Sequence, residues 1–252
     1  VTIHAHISTM TRLLQENTAS GERRILQVFQ DFCELSALTL RNAVDQNGFD
    51  AREARYLAIA ANYRSQEMRR FAEALAHLKM ALRAKFSDVL GHLYMTLDLG
   101  NERLGQFFTP YDVSILTVRI MAGDLPDRLR DQEFVAVVEP TCGSGGMVIA
   151  KAELIREHGF DYRNAMHVLA NDIDLMAVHM TYVQLALLDI PAVVVHGDVL
   201  TLEERDRWAT PAHINDGWDQ RLTTESLPCT SLGPDEVDSS SLRSPGGATR
   251  TQ

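Results

Sequence analysis

The chain is poor in the features that mark several protein classes. Its 252 residues hold three cysteines, Cys33, Cys142 and Cys229, too few and too scattered for a disulfide framework. No C-x-x-C or H-E-x-x-H pair suggests a metal, so no metal ligands are expected. No stretch approaches the roughly 20 apolar residues that a bilayer span needs. The first residues lack a charged region followed by an apolar one. A soluble, cytoplasmic protein in a reducing compartment, with no membrane partner, is the expectation. Val1 is not a methionine, which fits either a fragment edge or an alternative start codon.

An excess of basic charge is also missing. The net charge of −10 argues against nucleic-acid binding over the whole surface. The balance differs along the chain. Residues 1–100 hold 12 Lys/Arg against 11 Asp/Glu, residues 101–200 hold 7 against 14, and residues 201–252 hold 5 against 9. A polyanion contact therefore belongs to the amino-terminal part, where Arg52, Arg55, Arg64, Arg69, Arg70, Lys79, Arg83 and Lys85 supply the positive charge. The competing explanation is an ordinary solvated helix face.

What is present is a change of grammar midway. From Glu22 to about Leu99 apolar residues recur at helical spacing, with a Gly48-Phe-Asp break and stripes such as Phe71, Leu75, Leu78 and Leu82. A helical domain over residues 1–100 is expected. After Gly105 the pattern predicts a helix over Tyr111–Met121, then strands at Phe134–Val138, His167–Ala170 and Ala192–His196 separated by helices. Strands alternating with such helices predict right-handed crossovers and a Rossmann-like parallel α/β sheet over residues 101–222. Residues 223–252, rich in Ser, Thr, Pro and Gly, are expected to be a disordered tail. No further β-rich run is expected after the third strand.

The three strand ends carry the chemistry. The first runs into Glu139-Pro-Thr-Cys-Gly-Ser-Gly-Gly146, the second ends at Asp172 and the third at Asp198. Ligands of open α/β sheets bind at that edge. A nucleoside triphosphate loop fails, because the turn continues into Met147 and the nearest lysine, Lys151, lies a full turn into the helix. A dinucleotide fingerprint has Val148 at its third glycine position, and Glu139 would repel a pyrophosphate. Asp172 suits ribose hydroxyls, Asp198 an adenine amino group and Glu139 an ammonium, which together describe a site for S-adenosyl-L-methionine. Each acid alone also suits a helix cap or turn. Cys142 is either a nucleophile at a helix N-terminus or a small buried turn residue, and Phe107 and Phe108 are either core or a cofactor lid.

Glu139-Pro-Thr-Cys-Gly-Ser-Gly-Gly146 resembles the first motif of N6-adenine DNA methyltransferases, in particular the modification subunits of type I restriction systems. Gly105-Gln-Phe-Phe-Thr-Pro110 resembles the segment these enzymes fold over the methionine part of the cofactor, and Gly197-Asp198-Val-Leu200 the motif that holds its adenine. Asp88-Val-Leu-Gly91 with Tyr94 resembles the preceding helix, so the likeness covers about residues 86–200. It implies an S-adenosylmethionine-dependent methyltransferase fold with cofactor contacts at Phe107, Phe108, Thr109, Pro110, Glu139, Pro140, Cys142, Gly143, Ser144, Gly145, Asp172, Ile173, Asp198 and Val199. It also implies DNA as partner and adenine N6 as acceptor.

In that family an Asn/Asp-Pro-Pro-aromatic motif on the fourth strand holds the target base, and these 252 residues contain none. The sheet is therefore expected to be abridged and the catalytic residues are not assigned. The first strand would then keep an open edge, to be covered by residues 200–218, by the amino-terminal helices, or by a partner subunit or second copy. Three alternatives stand beside a methyltransferase: a non-catalytic binding or decoy module of a restriction–modification system, a truncated product, and an NAD-binding oxidoreductase.

Overall fold

Thr2 caps the first helix of the chain through its side chain, and Ile7, Met10 and Leu14 bury one stripe of it. In the computed structural model, residues 2–19, 21, 23–100 and 108–224 are described. The amino-terminal helices are α1 (Ile3–Glu16), α2 (Ile25–Asn42), α3 (Phe49–Ala60), α4 (Ser65–Ala84) and α5 (Val89–Thr96). The order continues α6 (Tyr111–Met121), α7 (Leu125–Asp131), β1 (Val135–Glu139), α8 (Gly146–Glu157), α9 (Tyr162–Ala165), β2 (Met166–Asp172), α10 (Leu175–Leu187) and β3 (Ala192–Asp198). It closes with β4 (Glu203–Ala209), α11 (Pro211–Asn215) and α12 (Trp218–Thr224). Residues 1–219 form one compact unit and residues 220–252 a second. The expected tail from residue 223 lies outside the described residues except for the end of α12. No helix among the described residues is long and apolar enough to cross a membrane.

The sheet order is β1-β2-β3-β4, with β1, β2 and β3 parallel and β4 antiparallel to β3. Side chains alternate across it. Val135, Val168, Ala170 and Val194 are buried in the core with Val148 and Ile149 of α8 and Val178 of α10. On the opposite face Val138 is 67% and Leu169 40% exposed. Helix α10 is buried on all sides from Met176 to Ala186 because it lies between β2–β3 and helices α2 and α5.

The run after β3 corrects the expectation that no further strand follows. Glu203-Glu-Arg-Asp-Arg-Trp-Ala209 is a strand despite its charges, because it is an edge with one buried anchor. Trp208 packs against His179 and Tyr182, with ring centroids 4.9 and 5.3 Å away, and the Arg41 guanidinium lies 4.7 Å above it. The segment expected over the first strand thus closes the other side of the sheet. Among the described residues no strand pairs with the outer side of β1. Trp218 packs edge-on against Phe134, at 5.0 Å, just before β1 begins.

Candidate functional site

The parallel register puts Glu139 beside Ala170 and Asp172 beside His196, so the ends of β1, β2 and β3 share one edge. The turn leaving β1 is folded back onto β2 by a hydrogen bond from Cys142 N–H to Asn171 O at 2.8 Å. Gly143 and Gly145 hold φ of 55° and 92°, the left-handed region that glycine enters without strain. The tightness of the turn follows: Gly145 N–H donates to Cys142 O at 2.8 Å, and α8 starts one residue later.

Asp172 reaches across to this turn. Its Oδ2 accepts from Gly143 N–H at 2.8 Å and its Oδ1 from Asp174 N–H at 3.0 Å. Thr181 of α10 donates to Gly143 O at 2.8 Å from the other side. Asn171 donates to Pro140 O and Gly197 O, both at 3.1 Å, lacing the ends of β1 and β3 together. Neither Asn171 nor Thr181 stands out in the sequence as a site residue. The available signal was a polar pair at a strand end and a hydroxyl in a mostly apolar helix.

A cavity of about 210 Å³ opens on the uncovered face at this edge. Val138, Pro140, Leu169, Val195, Val199 and Leu202 form its apolar walls, and Glu139, Asn171, Asp198, Glu203 and Glu204 its polar side. Burial, with Asp172 nearby, raises the Glu139 pKa, so a cation there would be welcomed. Asp198 is held below the usual carboxylate range by the N–H groups of Leu200 and Thr201. Asp172 and Ile173 do not line this cavity; Asp172 points into the turn, and Ile173 is 57% exposed beside it.

The other expected contacts divide by direction. Phe108 is half-buried, stacks edge-on with Tyr94 at 4.9 Å, and would touch a Cβ at Gly143 at 3.1 Å, so it lies over the turn. Thr109 and Pro110 are exposed at the start of α6, and Phe107 lies outside the described residues. Cys142 is buried, and that burial pushes its thiol up to about 12, which keeps it protonated and inert as a nucleophile. Ser144 is buried too, and its hydroxyl points at Asp88. No cluster of three or more His, Cys, Asp or Glu side chains among the described residues is placed to hold a metal.

Three strand-end acids around a glycine turn and an apolar cavity agree with one comparison. A family model for N-6 DNA methylases matches residues 85–218, more than half of the chain and every strand of the sheet. The chain belongs to the N-6 DNA methylase family. No curated protein matches it. One solved structure, from Listeria monocytogenes and named as a class I S-adenosylmethionine-dependent methyltransferase, is similar at a TM-score of 0.41 and 12% identity. That alignment covers 76% of this chain and 53% of the other, so the N-6 DNA methylase chain spans about half the length of that neighbour. A likeness of that degree assigns nothing to this chain.

Proposed function

We propose that this N-6 DNA methylase domain binds S-adenosyl-L-methionine at the β1–β3 edge, in the service of methyl transfer to adenine N6 in DNA. The observation that carries the reading is the meeting of Glu139 and Asp198 in one apolar-walled cavity, with Asp172 beside it on the glycine turn. Glu139 would pair with the ammonium group, Asp172 would accept from the ribose hydroxyls, and Asp198 from the adenine amino group. Ile173 and Val199 offer apolar surface for the adenine faces. Gly143 and Gly145 let backbone approach the ligand, beneath Phe108, Thr109 and Pro110. When bound, the cofactor supplies an electrophilic methyl group on a sulfonium.

Adenine N6 is a weak nucleophile, so transfer needs a flipped base and acceptors that hold its amino hydrogens. These 252 residues have no Asn/Asp-Pro-Pro-aromatic motif to provide them. We therefore assign these residues the cofactor-binding share of the reaction. The base-holding share falls to elements outside these 252 residues, seated on the open side of β1, where Val138 and Met121 border one surface pocket and are 67% and 74% exposed. DNA phosphates would meet the outer side of α4, where Arg69, Lys79, Arg83 and the adjacent Lys85 are exposed. Arg52, Arg55 and Arg70 are engaged with Asp45, Glu34 and Glu16.

Calorimetric titration tests the reading. S-adenosylmethionine and S-adenosylhomocysteine are expected to bind and NAD not to, and absence of binding by both would overturn it. A tritiated methyl-transfer assay on duplex DNA then separates an active enzyme from a non-catalytic binding module, which would show affinity without turnover.

A further inference from the structure

The glycine turn is held from beneath by a carboxylate far away in sequence. Asp88 is 3% exposed and caps α5, its Oδ1 accepting from Gly91 N–H at 2.8 Å. The same oxygen accepts from Gln184 Nε2 at 2.8 Å, while Oδ2 accepts from the Ser144 hydroxyl. Gln184, fully buried in α10, also donates to Ser144 O at 2.7 Å and accepts from Leu90 N–H at 3.0 Å. One carboxylate and one amide thus join α5, the turn and α10.

The glycines around Asp88 leave room for it. A Cβ at Gly91 would lie 2.1 Å from Asp88 Oδ2, and one at Gly146 would lie 3.3 Å from it. The N-termini of α5 and α8 both approach the carboxylate, and their dipoles favour negative charge there. Burial raises the Asp88 pKa while its three donors oppose that rise. A plain fold staple would need none of these bonds to end on Ser144, the middle residue of the turn.

We propose that Asp88 is a positioning residue for the cofactor site: through Ser144 and Gln184 it fixes the Gly143–Gly146 turn against the amino-terminal helices. Asp88 is buried behind the turn and does not line the cavity. The proposal rests on the cofactor reading above for its consequence, and on the hydrogen bonds alone for its local claim.

Amide exchange and cofactor affinity, measured on the whole chain, test the two parts separately. In Asp88→Ala, the amides of Gly143, Ser144 and Gly145 should exchange roughly ten-fold faster relative to Ala170 and Val194, as loss of bonds to a charged group implies. The dissociation constant for S-adenosylhomocysteine should rise by about the same factor. Asp88→Asn should restore both, because its Oδ1 still serves Gly91 and Gln184 and its amide can donate to a rotated Ser144 hydroxyl. Unchanged exchange and affinity in folded Asp88→Ala would overturn the proposal, as would Asp88→Asn losing as much as Asp88→Ala. If Asp88→Ala does not fold, Ser144→Ala carries the same comparison. If the wild-type chain binds no S-adenosylhomocysteine, the functional reading fails, and turn exchange still decides the role of Asp88.

Discussion

Gly143 N–H and Asp172 Oδ2 are 2.8 Å apart, which makes the acid at the end of β2 part of the turn that leaves β1. The other carboxylate oxygen accepts from Asp174 N–H at 3.0 Å, at the mouth of α10. Both oxygens are thus occupied by backbone donors, yet each keeps a second lone pair. An acid so fixed presents its free lone pairs in one orientation, as recognition of a ribose diol requires.

This geometry predicts that Asp172→Asn is not conservative. Whichever way the amide is turned, its NH₂ faces a backbone N–H, of Gly143 or of Asp174. Asp172→Ala should weaken S-adenosylhomocysteine binding by about 1.5–3 kcal/mol, the range for hydrogen bonds to a charged group. That is roughly a tenfold to hundredfold change in dissociation constant. Asp172→Asn should lose nearly as much. Calorimetry on both variants checks it, and wild-type affinity in either would remove Asp172 from the site.

Much of this arrangement was legible because it is local. The helix Tyr111–Met121 has the expected bounds, and the strand expected over Phe134–Val138 is Val135–Glu139. The glycine turn and the acids at the strand ends were readable because strand, turn and cap follow one another along the chain. Strand β4 was not, since five of its seven residues are charged and its pairing with Val193–Asp198 is tertiary. Helix α1 falls within the helical domain expected over residues 1–100 but ahead of the run read from Glu22, although Ile7, Met10 and Leu14 have helical spacing. The network of Asp88, Ser144 and Gln184 joins positions 56 and 96 residues apart, which no local pattern records. Asp88 and Ser144 each stand in a local motif and Gln184 in a mostly apolar helix, but nothing along the chain joins the three.

Gly145 offers a second test of the turn. At φ 92°, an added Cβ would stand 3.1 Å from Thr181 Oγ1, the hydroxyl that holds Gly143 O. Gly145→Ala should cost about 1–2 kcal/mol from the left-handed backbone alone. The far-ultraviolet spectrum should stay close to that of the wild type, while the melting temperature falls and cofactor affinity drops. An Ala variant with unaltered affinity would reduce the turn to a connection.

Acid should destabilise the domain through His179. Burial lowers its pKa from 6.5 to about 4, and its ring lies 4.9 Å from Trp208. The folded protein keeps the ring neutral, whereas the unfolded chain takes up the proton as pH falls below 6.5. Stability contributed by the neutral ring is therefore full above the unfolded pKa and is lost between about 6.5 and 4. From pH 7 to pH 5 the loss is about 2 kcal/mol by linkage. Urea unfolding followed by tryptophan fluorescence should show it, and His179→Phe should flatten this part of the pH profile. An unchanged slope in the variant would refute the assignment.

The outer side of β1 makes the last prediction. Charged β4 closes the far side of the sheet and its row Glu203–Arg207 discourages further pairing, but among the described residues β1 has no such guard. In a dilute monomer the β1 amides that do not bond to β2 should exchange quickly, and Val138→Lys should change stability by no more than about 0.5 kcal/mol, as expected for an exposed site. A partner or second copy that adds a strand there would bury Val138. Exchange should then slow on association, and the lysine should abolish that slowing. Sedimentation and exchange on the same samples decide between outcomes. Slow exchange along the whole of β1 in a demonstrated monomer would mean that the edge is already covered, and association through it would be ruled out.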